Sequence, residues 1–124
     1  MHVLVVPGQL VTANALRRSH WAASAATVAR WRHDTRLAAL ASGIPPQTRI
    51  SIDIRPAQAR GRLADAGAHE PAAKAAIDGL VDAHIIPDDT GRHITRITYL
   101  APTRSEMRMA GQLVDHLTLI VRGE

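Results

Sequence analysis

The chain has 124 residues, 46% hydrophobic and 21% charged, with a formal charge of +4 and a sequence pI near 11.0. That length and balance imply one globular domain spanning residues 1–124, exclude a disordered chain, and point to a polyanionic partner, nucleic acid first. With no cysteine there are no disulfides, thiolate nucleophiles or thiolate zinc sites; no apolar run is long enough to span a membrane, and MHVLVVPGQLV lacks a basic leader, so a cytoplasmic protein is expected.

His2 to Val6 is apolar and β-branched and ends at Pro7-Gly8, which predicts a strand and a turn. Thr12 to Arg18 reads as a polar, arginine-bearing loop, and Ser19 as an N-cap. His20 to about Ala41 is rich in Ala and Arg without Pro or Gly, which predicts a long helix ended by Gly43 and Pro45-Pro46. Its apolar stripe is expected through Ala25, Val28, Ala29, Leu37 and Leu40, leaving Arg30, Arg32 and Arg36 for solvent or a partner. Gln47 to Arg55 alternates, with Ile50, Ile52 and Ile54 on the core face and Arg49, Ser51, Asp53 and Arg55 opposite.

Pro56 to Ala68 is expected to be a loop. Pro71 opens a helix to about Ala83 with Ala73, Ile77, Leu80 and Val81 inward and Glu70, Lys74 and Asp78 along one flank. Ile85 to Asp89 is an apolar run into an acidic turn, and Arg92 to Leu100 and Leu113 to Val121 are strands, joined by a connection from Arg104 to Gly111 and expected to pair antiparallel. The order β-α-β-α-β-β implies an α+β domain with two helices packed on one sheet. Trp21, Trp31 and Tyr99 are the aromatics and Phe is absent, so the core must be built from Ala, Leu, Ile and Val.

Chemistry concentrates between Arg60 and Gly91. Lys74 is the one lysine against fourteen arginines; a lone lysine on such a background is either an accident of composition or a site that wants a compact ammonium. Asp65, and the adjacent Asp88 and Asp89, are hard oxygen donors suited to Mg²⁺ with phosphate oxygens completing the shell. Their plainer roles are a surface acid beside Arg60 or Arg62 and ordinary turn chemistry after Pro87. Lys74 has a plainer role too, an i, i+4 pair with Glu70 worth about 0.2–0.5 kcal/mol. The histidines show no metal-binding spacing and read mostly as surface or edge residues. Asn14, Arg17, Arg18, His20 and Trp21 form a polar, basic, aromatic cluster suited to phosphate contact and base stacking.

The run Asp65, then Pro71-Ala72-Ala73-Lys74-Ala75-Ala76-Ile77-Asp78-Gly79-Leu80, then Asp88-Asp89, with Asn14, His20-Trp21 and Trp31-Arg32 upstream, resembles the RusA family of phage and prophage Holliday-junction resolvases. The resemblance implies a homodimeric endonuclease of a bacterial or phage-infected cell. It would depend on Mg²⁺, or on Mn²⁺ in its place, and would resolve four-way DNA junctions by paired symmetric nicks. By position it implies catalytic Asp65, Lys74 and Asp89, with Asp88 beside Asp89; the residues themselves suggest a metal held by Asp65, Asp88 and Asp89 and DNA contacts from Asn14, Arg17, Arg18, His20, Trp21, Arg60 and Arg62. The chain departs from the family's Asp-x-Asp-Asn: it reads Asp65-Ala66-Gly67-Ala68-His69-Glu70. Glu70 becomes the candidate for the missing carboxylate, and a branched-DNA-binding protein with a degraded, non-cleaving site is the alternative.

Overall fold

Strand alternation dictates the sheet. A computed structural model describes residues 1–18 and 20–124, and the N-cap expected at Ser19 lies outside the described residues. β1 (His2–Pro7) pairs antiparallel with β7 (His116–Gly123), and β7 pairs antiparallel with β2 (Ile50–Gln58). β2 pairs parallel with β3 (Ile94–Tyr99) and, at its far end, with the short β4 (Thr103–Arg104). The order is β1-β7-β2-β3, and β5 (Arg108–Met109) and β6 (Gln112–Leu113) form a separate antiparallel ribbon.

The final strand therefore does not pair with the one before it, as the sequence suggested; it inserts between β1 and β2. A helix separates β2 from β3, and a crossover of that kind returns the chain parallel. In register, Leu4 and Ile54 flank Leu119, Ile52 faces Val121 and Val6 faces Leu117, all buried. Val3, Val5 and Arg55 lie on the opposite, exposed face, where Arg122 Nη1 donates to Asp53 Oδ2 at 2.7 Å.

Three helices complete the α+β fold. α1 (Ala13–Arg18) occupies the segment expected as a loop, with Thr12 Oγ1 accepting from Ala15 N at 3.1 Å. α2 (Trp21–Ser42) starts at His20, whose Nδ1 accepts from Ala22 N at 3.2 Å, and stops at Gly43 with φ 76°, the left-handed conformation that favours glycine. α3 (Glu70–Asp82) packs on α2, and α2 also lies against β1.

The expected stripe on α2 is corrected. Leu37 and Leu40 are exposed, and the helix buries Trp31, Thr35 and Ala39 instead. Trp31 sits under Gly8 and donates through Nε1 to Gln9 O at 2.8 Å. Two arginines expected to be available are engaged: Arg30 Nε donates to Asp34 at 3.0 Å, and Arg32 clasps Asp82 of α3 at 2.6 and 2.8 Å.

On α3, Ala73, Ile77 and Leu80 are buried as expected. Gly79 sets the closeness of the two helices: a Cβ there would meet Arg32 O at 2.6 Å and Thr35 Cβ at 2.9 Å. The core is Ala, Leu, Ile and Val, with Trp31 the one aromatic among its fully buried members. No helix among the described residues is long and apolar enough to cross a membrane.

Candidate functional site

α3 delivers the first cluster. Its Ala-rich inner face is buried, so the flank bearing Glu70, Lys74 and Asp78 is held outward at helical spacing. The following turn returns Asp89 to the same flank. Lys74 Nζ donates to Asp89 Oδ2 in a very short contact and to Asp78 Oδ1 at 3.3 Å. The expected Glu70–Lys74 pair does not form; the lysine turns to the acid one turn ahead and to the loop. Asp89, first, holds the Lys74 ammonium above its ordinary pKa, against some desolvation. Lys74 in turn pulls Asp89 below the usual carboxylate range, so both are charged at neutral pH.

Asp88 is committed to its own turn. Its Oδ1 accepts from Thr90 N at 2.9 Å and Thr90 Oγ1 at 2.6 Å, and the latter bond does most to lower its pKa. Its Oδ2 lies 3.8 Å from His93 Nε2. Tyr99, at the end of β3, was not anticipated as part of the site. Burial and the charge of Glu70 raise its pKa while Lys74 opposes them, which places Tyr99 within electrostatic reach of both. Asp78 was legible as part of the flank but not as a partner of Lys74.

A second cluster forms around α1. Asn14, Arg18, Arg62 and Asp65 line an open cavity of about 500 Å³ together with Leu63. Lys74, Asp78 and Asp89 do not line it. Asn14 Oδ1 accepts a very short hydrogen bond from Arg17. Asp65 thus shares a cavity with three of the expected DNA-contact residues, Asn14, Arg18 and Arg62. Among the described residues, no three His, Asp or Glu side chains come together to hold a metal ion.

The remaining predicted residues scatter. Arg60 lines a different cavity, with Gln9, Met109 and Asp115. Trp21 is 77% exposed, and its ring stacks on His20 with centroids 5.9 Å apart and planes at 29°.

Two residues that sequence reasoning missed organise the second cluster. Gln58, on the last position of β2, donates through Nε2 to Arg62 O at 3.0 Å and accepts at Oε1 from Ala64 N at 2.8 Å. His69, one of the histidines read mostly as surface or edge residues, is buried, with Nδ1 3.1 Å from Val11 O and Nε2 3.3 Å from Gln58 Oε1. A lone histidine beside a loop has no periodic signal to mark it as buried. Comparison with protein-family models and with curated proteins returned no match to this chain.

Proposed function

We propose that the protein is a divalent-metal-dependent endonuclease that cuts branched DNA, a four-way junction first among substrates, and acts as a homodimer. The observation that carries the reading is the setting of Lys74. The chain's one lysine is held outward between Asp78 and Asp89, one helical turn from Glu70, on a domain of net positive charge. A compact ammonium among acids, facing solvent, suits a phosphodiester whose charge grows during cleavage. Two active sites about a two-fold axis would account for paired nicks.

The donors available near Lys74 are carboxylate oxygens, the type that suits Mg²⁺ or Mn²⁺. Mg²⁺ is commonly held by one or two carboxylates, with water and phosphate oxygens filling the shell. Asp89 and Glu70 would hold the ion, which when bound supplies an activated water and neutralises phosphate charge. Lys74 donates hydrogen bonds to the non-bridging phosphate oxygens, while Asp78 and Asp89 keep it protonated and aimed. Arg17 and Arg18 in the last turn of α1, with Arg62, bind flanking phosphates, and the exposed Trp21 offers a face for stacking. Asp65 is left out of the metal set because it lines the cavity shared with Arg18 and Arg62.

The second reading is a branched-DNA-binding protein that does not cut. It is favoured by Asp88, whose oxygen is committed to Thr90, and by Asp65 lying with the arginines. A synthetic four-way junction incubated with Mg²⁺, Mn²⁺ or EDTA separates the two. Symmetric nicks that need the metal support the endonuclease; tight, junction-selective binding without nicks supports the second reading. Equal affinity for linear duplex discards both.

A further inference from the structure

We infer that the cavity beside α1 receives one unpaired nucleotide of a branched DNA, with Arg18 and Arg62 on its phosphate and Asp65 on an exocyclic amino group of its base. This rests on the DNA-binding part of the proposed function and adds a base preference to it.

The cavity's volume, about 500 Å³, lies within the usual span of small-ligand sites, roughly 300–1,000 Å³. Opposite charges line it without closing on each other. Elsewhere in the chain Arg32 clasps Asp82, Arg122 clasps Asp53 and Arg30 clasps Asp34. Among the described residues, the side chains of Arg18, Arg62 and Asp65 have no hydrogen-bond or ion-pair partner. The walls account for the separation. Gln58 fixes the backbone at Arg62 and Ala64, buried His69 sets its ring nitrogens against Val11 O and Gln58 Oε1, and Ala13 N donates to Ala68 O at 3.2 Å. Leu63, 41% exposed, adds an apolar surface.

The lining selects its ligand. Two guanidiniums match phosphate oxygens. An ionised carboxylate is an acceptor only, so its partner must bring N–H groups. A nucleotide brings both. In a duplex the amino groups of adenine and cytosine still show one N–H at the groove edge, but a paired and stacked base cannot enter a concave cavity, so the base must be unpaired to reach it. Adenine, cytosine and guanine carry exocyclic amino groups and thymine does not. Thymine's one base N–H, at N3, lies between two carbonyl oxygens that a carboxylate repels, so the cavity disfavours thymine.

The test uses two four-way junctions identical except for one unpaired nucleotide at the branch, cytosine in one and thymine in the other. Affinity is read by fluorescence anisotropy in EDTA, so that neither cleavage nor metal binding contributes. The parent protein is expected to bind the cytosine junction about tenfold more tightly. Asp65→Asn, whose amide can donate as well as accept, should bring the two affinities together, whereas a metal-ligand role for Asp65 would leave the difference untouched. Arg18→Ala with Arg62→Ala should weaken both junctions alike. Equal affinity of the parent for the two junctions, with preference over linear duplex retained, overturns this inference alone. Loss of that preference overturns the DNA reading with it. The parent comparison decides even if a variant fails to fold.

Discussion

The Lys74 flank and the Asp65 cavity use the same residue types in opposite ways. On α3 the charges have closed: Lys74 lies on Asp89 and Asp78, and each partner's pKa moves to keep its charge. Beside α1 the charges stay apart, held by Gln58 and His69 around open space. A closed set carries fixed protonation states, which suits a group that must act charged at neutral pH. An open set carries unsatisfied donors and acceptors, which suits recognition. On the proposed function, the difference assigns catalysis to the α3 flank and nucleotide recognition to the cavity between α1 and residues 62–68.

The division can be broken first at Asp89. Asp89→Asn removes both the anchor of Lys74 and a carboxylate for the ion, and cleavage of the four-way junction should fall on the order of 10²-fold or more. Gel assays at saturating Mg²⁺ measure it, and junction affinity in EDTA should hold or rise because a negative charge beside phosphate is gone. Next comes the packing of α3, which carries the Lys74 flank, on α2. Gly79→Ala places a Cβ against the backbone of α2, so overpacking should cost about 1–3 kcal/mol. Denaturant unfolding would read this as a lower midpoint, with cleavage per folded molecule little changed.

A smaller effect sharpens the cavity side. Arg18→Ala and Arg62→Ala should each flatten the dependence of log affinity on log salt by about 0.9 if each arginine neutralises one phosphate. An unchanged slope in the double variant would move the phosphate path elsewhere, Arg60 being the next candidate.

The smallest effect is the stability of the Lys74–Asp89 pair itself. Both side chains are more than a third exposed, so the pair should contribute no more than about 1 kcal/mol. Asp89's pKa is depressed on folding, so its share is present above the ordinary carboxylate range and is lost as pH falls through the depressed value. Lys74's is raised, so its share is present below the ordinary ammonium range and is lost as pH rises through the raised value. Urea midpoints of parent and Asp89→Asn should differ slightly at neutral pH and converge at the acid end.

Much of the fold was readable where one periodicity dominates. Ile50, Ile52 and Ile54 alternate over a long run, and Pro71 with the inward Ala73, Ile77 and Leu80 marks α3; all these apolar side chains are buried. α2 misled because alanine occupies so many of its positions that no face stands out, and burial fell on Trp31, Thr35 and Ala39 instead. α1 has six residues, too few for a period to show. The insertion of β7 between β1 and β2 depends on pairing between the two ends of the chain, which local patterns do not carry.

At the site, Lys74 and Asp89 were found from residue type, and they do meet. Asp78 was passed over because an acid four residues before a lysine is the better-oriented partner, which favoured Glu70 on paper. Gly79 had a signal that could have been used: a glycine inside a helix is unfavourable by about 1 kcal/mol unless something approaches it closely.

Lys74→Arg tests the central claim most directly. Arginine keeps the charge and the helix propensity, and it can still reach Asp78 and Asp89, but its guanidinium is planar, wider and more diffuse. The measurement is junction nicking at saturating Mg²⁺ beside junction affinity in EDTA and the melting temperature. The account predicts unchanged melting and affinity with nicking reduced on the order of 10²-fold. A variant that nicks as the parent does would contradict it, and would make the chain's lone lysine an ordinary surface cation.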